Sequence, residues 1–242
     1  MPDSLLLNGS TDFRDFSAGT VVGSGALTCL FILKKGLDTT WQNPGGWNAI
    51  DGHFFISDQD KLVLSDGTNF NPGATNVLIA SGWVIVAATK AAGTVAPRYH
   101  IYNYGTTTWN HANAGGTITN LPALSTYTIG LSGQAFQPFS GSVLLDAVWD
   151  SELSDGALEA MTLNLSDFIA GAPKELRRYN TAGTITPLVG TSTQTAQSGG
   201  TLDTGDAPAG WSDALTAVTP AVSPRETDNP KRRRALSGVV GA

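Results

Sequence analysis

The sequence predicts an all-β protein: a two-sheet antiparallel sandwich followed by one short helix and an extended C-terminal arm. Three observations lead there. Gly 28 and Pro 12 against only 14% charged residues describe many tight turns and few exposed helices. Short apolar runs of strand length recur between turn-forming clusters from residue 4 onward. A chain of 242 residues suits one large sandwich with an appendage and requires no second full domain.

The segment from Phe139 to Ile169 organises the rest. Val143, Leu145, Ala147 and Trp149 alternate, which predicts a strand with both faces at least partly covered. The period then changes. Leu158, Met161, Leu165, Phe168 and Ile169 fall on one side of a single predicted helix, with Ser154 as its N-cap and Gly171 and Pro173 as its stop.

Going back to the start, Leu5 to Leu7 forms an opening strand, and Ser17 to Gly25 is a small-residue connector. Ala26 to Lys34 is a continuous apolar strand long enough to cross a sandwich. Asn43-Pro44-Gly45-Gly46 predicts a turn with Trp41 and Trp47 on its shoulders. Phe54 to Ile56 and Lys61 to Leu64 make a hairpin about Ser57 to Asp60. Asn76 to Thr89 carries a central strand with Trp83, and Tyr99 to Asn103 alternates before the turn at Gly105. Thr117 to Leu121 and Ser125 to Leu131 are predicted as a further strand pair.

These stretches carry a resemblance. Leu5-Leu6-Leu7-Asn8-Gly9-Ser10 with Phe13 and Phe16, the long strand at Leu27 to Lys34, Gly82-Trp83 with its apolar run, and the strand ending Trp149-Asp150 before Leu153-Ser154 together resemble laminin-G-like, or concanavalin A-like, jelly rolls over roughly residues 4 to 170. The resemblance implies a jelly-roll domain over residues 1–172. A narrower likeness follows. Gly190-Thr191-Ser192 and Pro208-Ala209-Gly210-Trp211-Ser212 are similar to the ends of laminin-G-like virion proteins of tailed phages of actinobacteria. This implies a minor tail or capsid decoration protein, assembled in the host cytoplasm, that meets other virion subunits, forms a homo-oligomer and presents a lectin-like face to host glycans.

Beyond Pro173 the character changes. Lys174 to Tyr179 is short and charged, and Thr181 to Gly210 is rich in Thr, Gly, Ser and Ala. Ile185, Leu188, Val189 and Leu202 are too few for an independent core, so residues 173–218 are expected to lie extended on their own sandwich or on a neighbour. Residues 219–242 form a proline-containing basic tail. Its Arg225, Lys231, Arg232, Arg233 and Arg234 are candidate partner-binding residues, able to pair with carboxylates of another subunit.

Charge narrows the partners. Five of the 14 basic residues but only two of the 20 acidic ones fall after residue 218, so residues 1–218 carry a net charge of −9. An acidic body repels nucleic acid and anionic membranes, and neither is expected as a partner. No apolar run approaches the roughly 20 residues of a membrane span. Residues 1–20 contain three aspartates and no basic start leading into an apolar run, which argues against a secretory signal.

Few residues suggest chemistry. Trp41, Trp47, Trp109 and Tyr104 are candidate carbohydrate-stacking platforms, because a flat apolar ring matches the C–H face of a pyranose. Both loop tryptophans, Trp41 and Trp47, would serve equally as plugs for an open end of the sandwich. Asp51, Asp58 and Asp60, with Asp66 nearby, stand in or beside turns. Hard cations take converging oxygens from such turns, so they are candidate Ca²⁺ ligands, although turns favour Asp for backbone reasons alone. No other cofactor is expected. The three histidines, His53, His100 and His111, lack HxH or HxxxH spacing, which predicts ordinary histidines rather than a zinc site. Cys29, the one cysteine, lies among apolar residues and reads as a buried thiol.

Catalysis is not expected. Jelly-roll glucanases deliver their carboxylates from one strand by a Glu-x-Asp-x-x-Glu pattern, which does not occur here. Nucleophile elbow, P-loop and dinucleotide fingerprint are likewise missing from the sequence. The expectation is a non-catalytic virion protein, with a free carbohydrate-binding module as the alternative and a glycoside hydrolase behind both.

Overall fold

The computed structural model describes residues 2–17, 25–36, 41–47, 52–66, 69–72, 82–119, 126–130 and 138–215. The strands are β1 (Ser4–Asn8), β2 (Phe13–Ser17), β3 (Leu27–Lys35), β4 (Gln42–Trp47), β5 (Gly52–Ile56), β6 (Leu62–Asp66), β7 (Phe70–Pro72), β8 (Trp83–Lys90), β9 (Arg98–Asn103), β10 (Thr108–Asn113), β11 (Thr126–Ile129) and β12 (Ser140–Trp149). Two short helices follow, α1 (Asp155–Glu159) and α2 (Leu165–Ala170), and then β13 (Glu175–Arg178), β14 (Gln194–Ser198) and β15 (Thr201–Asp203).

They make two antiparallel sheets. One runs β10-β9-β8-β3-β12-β1-β15, with β13 also paired to β12; the other runs β14-β2-β11-β4-β5-β6-β7. Alternation on β3 and β8 drives the layering: Cys29, Phe31, Leu33, Val84 and Val86 point into the core between the sheets, where Phe31 stacks on Phe54 at 5.5 Å. The opposite residues, Leu30, Ile32, Ile85 and Ala87, belong to a second core on the outer face of the first sheet, closed by Leu158, Met161, Leu165, Phe168 and Trp211. Burying both faces explains why these strands read as unbroken apolar runs.

The structure departs from the predicted elements in four places. Asn43 to Gly46 is strand, not turn, because a Cβ on Gly45 would sit 2.4 Å from the Phe31 ring; the glycine makes room for an aromatic neighbour. Ile118 makes an isolated bridge to Val95 in place of the predicted strand Thr117 to Leu121, of which 120 and 121 lie outside the described residues.

The predicted single helix is two, and Asn164 is the N-cap of the second rather than a mid-helix residue. Between them the chain extends to pair Leu163 and Leu165 with Ser212, and the Thr162 carbonyl accepts from the Tyr104 hydroxyl. Finally, β12 carries a bulge between Val143 and Leu145. Val143 therefore faces the inter-sheet core while Leu145, Ala147 and Trp149 face outward, and Asp146 turns inward.

Residues 173–215 lie on the sandwich itself. β13 takes the place beside β12 that β1 leaves free after the bulge; β14 adds to β2 and β15 adds to β1. So the arm supplies strands to both sheets.

Candidate functional site

Beneath the arm lies a cluster of charged side chains closed to solvent. Asp146 is fully buried and accepts from Arg177 Nη1 at 2.6 Å and from the Tyr179 hydroxyl at 2.7 Å. Arg177 crosses between the sheets, its guanidinium 4.5 Å and 4.7 Å from the ring centroids of Phe16 and Tyr127. Glu175, also fully buried, accepts from the backbone N–H groups of Thr191 and Ser192 and from the Ser192 hydroxyl. Arg14 of β2 completes the clamp by donating to the carbonyls of Ser198 and Ala182 in the arm. Every carboxylate here is held by protein donors, so the cluster fastens the arm and leaves no group open to a substrate.

Two further regions among the described residues gather polar side chains at the surface. The first is the outer face of the β9–β10 hairpin, where cross-strand pairing sets side chains in rows: Arg98 beside Asn113, His100 opposite His111, and Tyr102 opposite Trp109. The His100 and His111 Nδ1 atoms are 2.8 Å apart, Trp109 stacks on His111 at 5.7 Å, and Tyr102 meets Tyr104 edge-on at 5.0 Å. Helix α1 lays Asp155 and Glu159 over this row. Asp155 is gripped by Arg98 through two hydrogen bonds of 2.9 and 2.5 Å, which hold its carboxyl below the usual range. Burial, helped by His111, pushes the His100 pKa down to about 4, so this imidazole is neutral at pH 7.

The second region is a groove of about 390 Å³ between α2 and the arm. Its wall is the Arg178–Asp213 pair, bidentate at 2.8 and 2.9 Å. Burial alone would raise the Asp213 carboxyl, but hydrogen bonds from Arg178 and Trp211 outweigh it and hold it down. Asn180, Thr181, Thr184 and Thr186 contribute amide and hydroxyl groups, flanked by Leu188 and Leu215, which are exposed. Fixed polar groups with apolar flanks suit a small ligand rich in hydroxyls.

The structure separates the predicted platforms. Trp41 precedes β4 of the second sheet and Trp47 is its last residue, whereas Trp109 and Tyr104 belong to the β9–β10 hairpin of the first. Tyr104 is committed to Thr162 through its hydroxyl, and Trp109 is half-buried between Tyr102 and His111. Of the predicted cation ligands, Asp58 is exposed on the hairpin turn, and Asp60, at φ 57°, pairs with Lys35. Asp51 and the basic residues Arg225, Lys231, Arg232, Arg233 and Arg234 lie outside the described residues. Sequence spacing missed the His100–His111 pair because they stand eleven positions apart, and only the β9–β10 register makes them neighbours.

No known family profile matches the sequence, and no curated protein matches it. Solved structures do. A putative carbohydrate-binding protein from Bacteroides ovatus ATCC 8483 superposes with a TM-score of 0.57 at 15% identity, over 89% of this chain; this chain spans only 62% of that protein. The full extracellular region of zebrafish Gpr126/Adgrg6 gives 0.50 at 15% identity, over 66% of this chain and 23% of its own. A native heptameric SAP-like pentraxin from Limulus polyphemus gives 0.45 at 12% identity, over 66% and 81%. At such identities the likeness defines the fold alone: an all-β, two-sheet antiparallel jelly-roll sandwich.

Proposed function

We propose that this chain is a non-catalytic lectin-like module that binds carbohydrate in the groove between α2 and the arm. The observation that carries the reading is the groove itself: the Arg178–Asp213 ion pair, an asparagine and three threonines line one concavity on a lectin-like fold. A sugar offers hydroxyls to such groups and C–H patches to the leucines beside them. The solved structure with the highest similarity score given above is itself described as a putative carbohydrate-binding protein.

The setting we propose is the virion of a tailed phage, as a minor tail or capsid decoration subunit. Its support is the likeness of Gly190 to Ser192 and Pro208 to Ser212 to the ends of such proteins. The basic tail would then reach acidic partner subunits.

A glycan array with the full chain tests the binding reading. Asn180→Ala with Thr184→Ala, both at exposed positions, is expected to lower affinity at least tenfold with the fold intact. Loss on Trp41→Ala, Trp47→Ala or Trp109→Ala with the groove variants unaffected would move the sugar to the aromatic platforms and overturn the groove assignment. Binding to no glycan at all would overturn the lectin reading. Mass spectrometry of purified particles tests the setting, and its absence from every virion would contradict it.

A further inference from the structure

The rows on the outer face of the β9–β10 hairpin hold a second constellation that the carbohydrate reading does not use. We propose that His100, His111 and Asp155 form a site for a borderline divalent metal ion such as Zn²⁺, with the fourth position open to water. Among the described residues this group brings three metal-ligating side chains together, with ligand atoms all within 4.8 Å of one another.

Hydrogen bonding around the two imidazoles decides which nitrogens face the site. Glu159 Oε1 lies 3.0 Å from His111 Nε2, and a carboxylate only accepts, so His111 carries its proton on Nε2 and turns a bare Nδ1 inward. His100 Nδ1 then donates to it across 2.8 Å, while His100 Nε2 accepts from the Thr89 hydroxyl at 3.0 Å. One proton therefore sits between two nitrogens, where a cation can replace it. The exchange balances: the metal ion takes both Nδ1 lone pairs, the displaced proton leaves to solvent, and His100 takes up a proton on Nε2. The Thr89 hydroxyl then rotates from donating to accepting. Both histidines would end with outer partners of the kind that orient metal-bound imidazoles.

Distances fit with a small adjustment. Asp155 Oδ1 lies 3.6 Å from His100 Nδ1 and 3.8 Å from His111 Nδ1. Ligands about 2.0–2.2 Å from a tetrahedral ion stand roughly 3.3 Å apart, so the nitrogens must part by about half an ångström and the carboxylate must close by about as much. Arg98 occupies one direction on each Asp155 oxygen and leaves Oδ1 a second lone pair. Two imidazoles and one carboxylate favour zinc, copper or nickel over calcium or magnesium, which call for more oxygen ligands.

Isothermal titration of the full chain with ZnCl₂, and separately with CaCl₂, tests the site. One equivalent of Zn²⁺ should bind at micromolar or lower Kd while Ca²⁺ gives no heat. His111→Ala should lose the site, and Asp155→Asn should weaken it at least tenfold. Circular dichroism establishes that each variant is folded. Because Asp155→Asn also disturbs Arg98, Co²⁺ titration supplies a second readout: wild type should give the intense visible bands of a four-coordinate ion, absent in His111→Ala. Failure of the folded wild type to bind Zn²⁺, or equal binding by folded His111→Ala, would overturn the proposal without touching the glycan result.

Discussion

Asp146 and Arg177 show how much one residue pair can decide. Neither is exposed, and their ion pair is supported by Tyr179, Ser192 and the rings of Phe16 and Tyr127. Removing one partner leaves a buried charge uncompensated. Arg177→Met is therefore expected to cost about 3–5 kcal/mol in denaturant unfolding, and the double variant with Asp146→Asn should recover part of that loss. Additive losses would contradict the pairing. Cys29 sets a second expectation. Burial pushes its thiol from 9.0 up to about 12, so the fold keeps it protonated where the unfolded chain would ionise. The buried phenols of Tyr127 and Tyr179 shift the same way, for the same reason. The stability these groups contribute is complete below pH 9 and is lost as pH rises toward 12. Tyrosinate absorbance should then appear in one cooperative step with the loss of near-ultraviolet dichroism, and gradual ionisation of a folded protein would count against it.

At the scale of elements, strand periodicity was legible wherever both faces are apolar, as in β3 and β8. It failed where a local irregularity changes parity. The bulge before Leu145 cannot be read from FSGSVLLDAVW, yet it turns Asp146 inward and frees the Leu144 carbonyl to accept from Tyr179 N and Arg178 Nη1. β13 was illegible for a different reason. Glu175, Arg177 and Arg178 look like a solvated stretch, but each is buried against partners distant in sequence: Asp146 and Asp213 pair with the arginines, and Thr191 and Ser192 donate to Glu175. The break that divides the predicted helix in two has a similar source in Ser212, 47 residues beyond Leu165. Gly190 offers a test at this scale. Its φ is +105°, and a Cβ would sit 2.3 Å from the Glu175 carboxylate. Gly190→Ala should cost about 1–3 kcal/mol and loosen Ser192 from Glu175; a neutral result by chemical denaturation would show that the turn is not constrained as described.

At the scale of the whole molecule, the pairing of residues 173–215 with strands of both sheets predicts that arm and sandwich unfold as one unit. Lys34, Trp83 and Ser142 hold Asp206 on the outer face, Asp3 accepts from Gly205 N, and Trp211 packs at 5.8 Å from Phe168. The composition of residues 181–210 announces that they cannot build a core alone, but which surface they cover depends on contacts between residues almost 200 apart, such as Arg14 with Ser198. Candidate sites were legible to the same limited degree: aromatic residues could be named, whereas the groove and the histidine pair exist only through the arm and the hairpin register. Hydrogen exchange resolved to single amides tests this closure most directly. The amides of Leu176 to Tyr179 and of the ladder between β2 and β14 should be protected and should open in the same cooperative step as β3 and β12. Exchange of the arm amides at the rate of unfolded chain, with β3 and β12 still protected, would contradict it.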